Sequence, residues 1–99
     1  MILVEGSFRF PPENIAAAQD EMVRVVAASR AEAGCLEYAY GADPCDPGRL
    51  IVLEKWESRA ALDAHFAAPH MVHWQSARAE LGFHDRAIRV HASDGGEPF

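Results

Sequence analysis

The order strand, helix, strand, strand, helices, strand predicts an α+β domain of the ferredoxin-like β-α-β-β-α-β plan, an antiparallel sheet with its helices on one face. Three observations predict it. Ile2, Val4, Phe8 and Phe10 alternate with Glu5, Ser7 and Arg9 at the period of a strand. Ile15, Ala18, Met22, Val25, Val26 and Ser29 recur at the spacing of a helix face. Between two later apolar stretches stands Asp43-Pro44-Cys45-Asp46-Pro47-Gly48, dense in residues that preset or tolerate a tight turn.

The first strand runs from Met1 to Phe10, and Pro11-Pro12 stops it. Pro12 suits a first helical turn, where its missing N–H costs nothing, and Glu13 complements the positive helix end, so a helix is expected to run to near Gly34. Cys35 to Asp43 sets Leu36, Tyr38 and Tyr40 against Cys35, Glu37 and Ala39 and reads as a second strand. The third strand, Arg49 to Glu57, contains the unbroken apolar run Leu50-Ile51-Val52-Leu53, which needs cover on both faces. Ser58 is an N-cap for a helix to Ala67 with Leu62 and Phe66 on one face. Pro69 interrupts, and a third helix from His70 to about Leu81 would bury Met71, Trp74, Ala77 and Leu81. Gly82 closes it, and Ile88 and Val90 lie in an alternating last strand from His84 to Ser93. Residues 1–93 thus read as one domain and 94–99 as a flexible tail.

The composition bounds the function. At 99 residues and a net charge of −6, with no basic run interleaved with aromatics, nucleic-acid binding is disfavoured. No apolar run approaches the roughly 20 residues that span a bilayer, and MILVEGSFRF lacks the basic start of a secretory signal, so a cytoplasmic protein is expected. Cys35 and Cys45 form no Cys-x-x-Cys pair and have no basic neighbour in sequence to make a thiolate. A chain this short leaves little room for an internal cavity, and one sheet face stays open, so a homodimer pressed sheet against sheet is expected.

His65 and His70 are the first candidates for proton transfer, His70 standing at a helix start that favours the neutral ring; helix capping explains both equally well. Tyr38, Tyr40, Trp56 and Trp74 would line an aromatic slot or simply fill the core. Glu54 shares a strand side with Trp56, and a carboxylate there needs a partner, Arg86 or Arg89, or a raised pKa. His65, His70 and His73 invite a metal reading, but Pro69 separates the first from the others and no carboxylate completes a triad, so no metal is expected. No Gly-x-Gly-x-x-Gly or phosphate loop supports a nucleotide or flavin, and no cofactor is expected.

Glu54-Lys55-Trp56-Glu57-Ser58, Ala61-Leu62-Asp63-Ala64-His65 and Pro69-His70-Met71, with Gly34-Cys35-Leu36-Glu37-Tyr38 before them, resemble the antibiotic biosynthesis monooxygenase domain family, close to its quinol monooxygenase-like members. The resemblance covers the chain to about Val90. It implies a dimeric α+β barrel with a pocket between sheet and helices in each subunit. Its members include oxygenases that attack phenols or quinols without flavin or metal, haem-degrading enzymes, and an isomerase of a signalling sugar phosphate. For this chain it implies a monooxygenase in which His65 forms the substrate anion. Tyr38, Glu54, Trp56, His70 and Trp74 would surround the substrate, and Arg86 would stabilise the anion. The haem-degrading pattern is departed from: Gly6-Ser7 replaces an asparagine on the first strand, His65 stands at a tryptophan position, and Gln75 falls at the ligand position, with His73 nearby. An isomerase would need a phosphate site, for which Arg24, Arg30 and Arg49 are available if the fold brings them to the pocket. The alternative to an oxygenase is a non-catalytic or isomerase-type ligand-binding dimer of the same fold.

Overall fold

The computed structural model describes all residues from Met1 to Phe99. Four strands, β1 (Ile2–Arg9), β2 (Cys35–Ala42), β3 (Arg49–Trp56) and β4 (His84–Ala92), form one sheet in the order β2-β3-β1-β4. Every neighbouring pair is antiparallel. Helices α1 (Ile15–Arg30), α2 (Arg59–Ala67) and α3 (Pro69–Glu80) complete the ferredoxin-like α+β plan. None is long and apolar enough to cross a membrane.

Local chemistry explains most boundaries. Pro12 opens a 3-10 turn, Pro12–Asn14, that leads into α1, and Asn14 is tied to the end of α3 by its Nδ2 donating to the Leu81 carbonyl at 2.8 Å. α1 stops at Arg30, four residues before the expected Gly34, and the intervening turn carries Glu32. Gly34 itself has φ +82°, the left-handed conformation that glycine adopts without a Cβ penalty. Ser58 caps α2, its Oγ accepting from the Ala61 N–H at 3.1 Å. Pro69 starts α3 rather than merely ending α2: Ala68 is the C-cap of one and the N-cap of the other, with an extended backbone at φ −68°, ψ 145°. The two helices therefore meet at a corner.

The core lies between sheet and helices. Val4, Phe8, Leu50, Val52, Glu54 and Trp56 all face inward and are buried, as the paired register Val4↔Glu54 and Phe8↔Leu50 requires. Phe8, Phe10, Trp74 and Phe83 form an edge-packed aromatic cluster, Phe8 and Phe10 nearly perpendicular with centroids 5.8 Å apart. Opposite faces of β3 differ: Val52 is 2% exposed, whereas Ile51, on the helix-free side, is 43% exposed.

Two sequence expectations need correction, and the last strand adds a further observation. Leu36 does not join Tyr38 on the buried side, because the register slips between Cys35 and Glu37 and leaves Leu36 as the bulged, exposed residue. On α2 the buried pair is Leu62 and His65, and Phe66 stays 42% exposed beside them. Along β4 almost every residue is exposed, Ile88 alone being half-buried, so the pocket side of this edge strand is largely uncovered.

Candidate functional site

A cavity of about 140 Å³ sits where β4's uncovered side meets the corner of α2 and α3. Val4, Phe8, Phe66, Met71, Ile88 and Val90 supply its apolar wall; Tyr38, Tyr40, Glu54, His65, Arg78 and Arg86 supply its polar one. An apolar cavity of roughly 150 Å³ holds benzene, so this volume matches one aromatic ring.

His65 is held from both sides. It lies in the last turn of α2, 1% exposed, with its ring 4.7 Å from Trp56 and 5.3 Å from Tyr38 between centroids. Its Nδ1 is 2.8 Å from Oε1 of Glu32. A carboxylate only accepts, so Nδ1 carries the proton and donates, and Nε2 keeps its lone pair. Burial lowers the imidazole pKa, against the opposing pull of Glu32, which favours this neutral form. Nδ1 being committed to Glu32, Nε2 is the ring nitrogen with a free lone pair, and His65 is one of the residues that line the cavity.

Glu54 stands across the sheet from Tyr38 in register and accepts the Trp56 Nε1–H at 3.0 Å. Burial, only partly offset by that bond, raises its pKa from 4.5 to about 6. Neither arginine expected as a partner forms an ion pair with it: Arg86 shares the cavity and acts only through its field, and Arg89, paired opposite Glu5, belongs to the helix-free face. The Tyr38 and Tyr40 hydroxyls lie 2.7 Å apart. Burial pushes both upward, Tyr40 to about 12, so both remain protonated: one O–H binds the other oxygen and the second is free to donate. Arg78, a residue the sequence did not single out, reaches the cavity from α3 with its guanidinium 4.2 Å from the Phe83 ring centre. The wall thus combines a neutral imidazole, the Glu54 carboxyl group, a hydroxyl donor and two cations.

The remaining candidates lie elsewhere. Trp56 is wholly buried and acts behind the wall by holding His65 and Glu54. Trp74 packs in the aromatic core, its indole N–H without a partner. His70 is off the cavity, its Nε2 donating to the same Glu32 oxygen as His65. Pro69 gave no reason for the three histidines to converge, and two of them do: the Ala68–Pro69 corner brings the His65 and His70 rings to 6.0 Å, and Glu32, remote in sequence, supplies the carboxylate that the sequence did not show. His73 instead pairs with Glu21 at the surface. Of the three arginines offered for phosphate, Arg24 pairs with Glu21, Arg49 with Asp43, and Arg30 binds the Tyr38 carbonyl; none reaches this cavity.

A wider groove of about 440 Å³ opens between α1 and the β2–β3 edge, lined by Met22, Val26, Tyr40, Ala42, Leu50 and Arg30 among others. It holds no histidine or carboxylate, so the smaller cavity is the one equipped for proton transfer.

The buried state of Glu54 gives a stability prediction. Its folded pKa lies above the ordinary 4.5, so its contribution is fully present below that pH and is lost as pH rises through about 6. The shift corresponds to about 2 kcal/mol. Glu54→Gln keeps an acceptor for Trp56 and removes the charge. Urea unfolding at pH 8 is expected to show it up to about 2 kcal/mol more stable than the parent, the difference vanishing by pH 4. Equal stability at both pH values would contradict this reading of Glu54.

The fold and this sheet-to-helix pocket define a class of small α+β domains. The sequence profile described as antibiotic biosynthesis monooxygenase matches residues 1–77, and the chain belongs to that family. An uncharacterized Synechocystis protein, sll1783, is 30% identical over 94 residues, covering 91% of this chain, which spans 61% of that protein's length. The Mycobacterium tuberculosis protein named "Putative monooxygenase Rv0793" is 30% identical over 92% of this chain and 89% of its own. Its solved structure superposes with a TM-score of 0.85, 28% identity, and 98% of each chain covered. A Deinococcus radiodurans structure described as a "putative antibiotic biosynthesis monooxygenase" gives 0.92 at 25% identity, covering 100% of this chain and 98% of its own.

Proposed function

We propose that the protein is a monooxygenase that oxidises a small hydroxylated aromatic, a quinol being the best-fitting class, with molecular oxygen. The observation that carries this reading is His65, buried and neutral, with Glu32 fixing Nδ1–H so that Nε2 is the acceptor beside a one-ring cavity. Transfer of the phenolic proton to Nε2 leaves a substrate anion whose charge faces the Tyr38–Tyr40 hydroxyl pair, Arg78 and Arg86. The anion is electron-rich enough to reduce oxygen. One electron passes to O₂, the superoxide and semiquinone radicals combine at a ring carbon as a hydroperoxide, and loss of water leaves the oxidised ring. In sum, quinol plus O₂ gives hydroxyquinone plus H₂O, with all electrons supplied by the substrate.

Reduced benzoquinols with a free ring position, one-ring substrates of the size this cavity holds, provide the test. Oxygen uptake above the spontaneous rate, with one O₂ consumed per hydroxyquinone formed, is the expected outcome. Saturable binding without turnover would instead favour a non-catalytic ligand-binding protein of the same fold.

The active unit is proposed to be a homodimer. The helix-free side of the sheet presents Leu3, Ala39, Ile51, Leu53 and Ala87, with Glu5–His91 and Lys55–Glu37 pairs around them. A second copy related by a two-fold axis would cover this patch with its own. Ile51→Asp puts an unpaired charge at its centre and is expected to turn a dimer at micromolar concentration into a monomer in sedimentation velocity. A parent protein already monomeric there would remove the proposal. Cys35 and Cys45 are both free thiols, which suits a reducing compartment such as the cytoplasm.

A further inference from the structure

We propose that Glu32, His65 and His70 form a binding site for one divalent transition-metal ion, with Zn²⁺ the best match among common ions. Three different elements contribute: the turn after α1, the last turn of α2 and the first turn of α3. One carboxylate oxygen, one Nδ1 and one Nε2 all lie within 4.8 Å of one another. Two imidazole nitrogens and a carboxylate oxygen are a donor set suited to zinc, cobalt or ferrous iron, and three protein ligands leave the fourth position of a tetrahedral ion open.

The change needed is an outward shift of the Glu32 carboxylate. Donors around a tetrahedral zinc at about 2.1 Å stand about 3.4 Å apart. The Glu32–His65 contact is 2.8 Å and the Glu32–His70 contact is shorter still, because ring protons now draw both imidazoles onto one oxygen, so that oxygen has to move away by roughly 0.6 Å from His65 and by more from His70. Glu32 is able to give, since its second oxygen has no partner within the chain. His65 and His70 are fixed by the Ala68–Pro69 corner, which holds them ready without the ion. The two helix ends offset each other electrostatically: His65 stands at a negative end and His70 at a positive one.

A route from solvent exists. A cleft of about 200 Å³ between α1 and α3 runs past Glu21 and His73 to His70. A cation would pass the Glu21 carboxylate, which already pairs with Arg24 and His73, on the way in. The ion would also have a specific chemical effect on His65. Bound at Nδ1 it takes the lone pair there, so the ring proton must sit on Nε2, and the cavity then faces a donor instead of an acceptor. Metal-loaded and proton-accepting His65 are alternative states of one ring.

The test uses the untagged full-length protein, stripped with chelator and titrated with Co²⁺ alone while visible d–d absorption is followed, then displaced by Zn²⁺. One ion per chain is expected, with a tetrahedral cobalt spectrum. Glu32→Gln and His70→Gln should each weaken binding at least 100-fold, their folding checked by circular dichroism. His73→Ala, outside the ligand set, should bind within a few-fold of the parent. Nitrogen NMR of the Zn²⁺-loaded parent should find the His65 proton on Nε2. Absence of saturable cobalt binding at micromolar concentration, or binding that survives both ligand substitutions, would overturn the site. Metal binding is read here without any turnover, so its failure leaves the oxygenase reading standing, and the converse holds.

Discussion

His65→Gln is expected to lower quinol-dependent oxygen uptake by about 10²- to 10⁴-fold, the range that a positioned general base contributes. Glutamine retains a polar side chain of similar reach that is able to bond Glu32, but it has no lone pair basic enough to accept a phenolic proton at neutral pH. The fold should survive, because the ring's packing on Trp56 and Tyr38 is replaced by a flat amide rather than a void. Substrate affinity should change far less than turnover, since the apolar wall from Val4, Phe8 and Ile88 is untouched. Quinols that are already ionised in solution should recover part of the lost rate, as they need no base. Unaltered turnover in this variant would assign His65 a purely structural role.

Gly6→Ala is expected to cost at least about 3 kcal/mol and to loosen β4 from β1. Gly6 has φ +150°, and a Cβ there would stand 2.0 Å from the Ala87 carbonyl oxygen and 2.7 Å from the Ile88 Cα. Those are backbone atoms of the neighbouring strand and have no rotamer through which to yield. The β1–β4 register already shifts between Ser7 and Arg9, so the pairing is irregular on one side of the substitution. β4 carries Arg86, Ile88 and Val90 of the cavity, so the same change should also abolish ligand binding. Gly41→Ala is the control: a Cβ there meets nothing within 4 Å, and its effect is expected to stay within about 0.5 kcal/mol. Thermal and urea unfolding distinguish the two. Similar stabilities would mean that β4 tolerates a displacement that the close backbone approach argues against.

What the sequence disclosed, it disclosed through local chemistry. Pro12, Ser58 and Gly82 mark helix ends because capping and φ preferences act within a few residues, and alternation in β1 identifies its buried side, whereas the unbroken apolar run of β3 left its two faces alike. Tyr38, Glu54, His65 and Arg86 were legible as polar groups on mainly apolar elements, and they converge on one cavity. Glu32 was not legible: it is 33 residues from His65 and 38 from His70, in a turn with no pattern of its own, and only closure of the chain brings them together. Arg78 was hidden for a related reason, since a helical arginine reads as solvent-facing unless its stacking on Phe83 is known. The Leu36 bulge defeated the alternation rule at the start of β2 alone, because one extra residue puts Cys35 opposite inward Trp56 and leaves Leu36 exposed, while Tyr38 and Tyr40 keep the side that alternation gives them. Pro69 misled in an instructive way. A helix break reads as separation, yet a corner is what aims His65 and His70 at one carboxylate.

The claim on which the catalytic account rests is the protonation of a single ring. Nitrogen-15 NMR of His65 in the chelator-treated protein at pH 7.5 tests it directly, with Glu32→Gln as comparison. The account predicts a protonated Nδ1 and a bare Nε2; a proton on Nε2, or a doubly protonated ring at that pH, would contradict it.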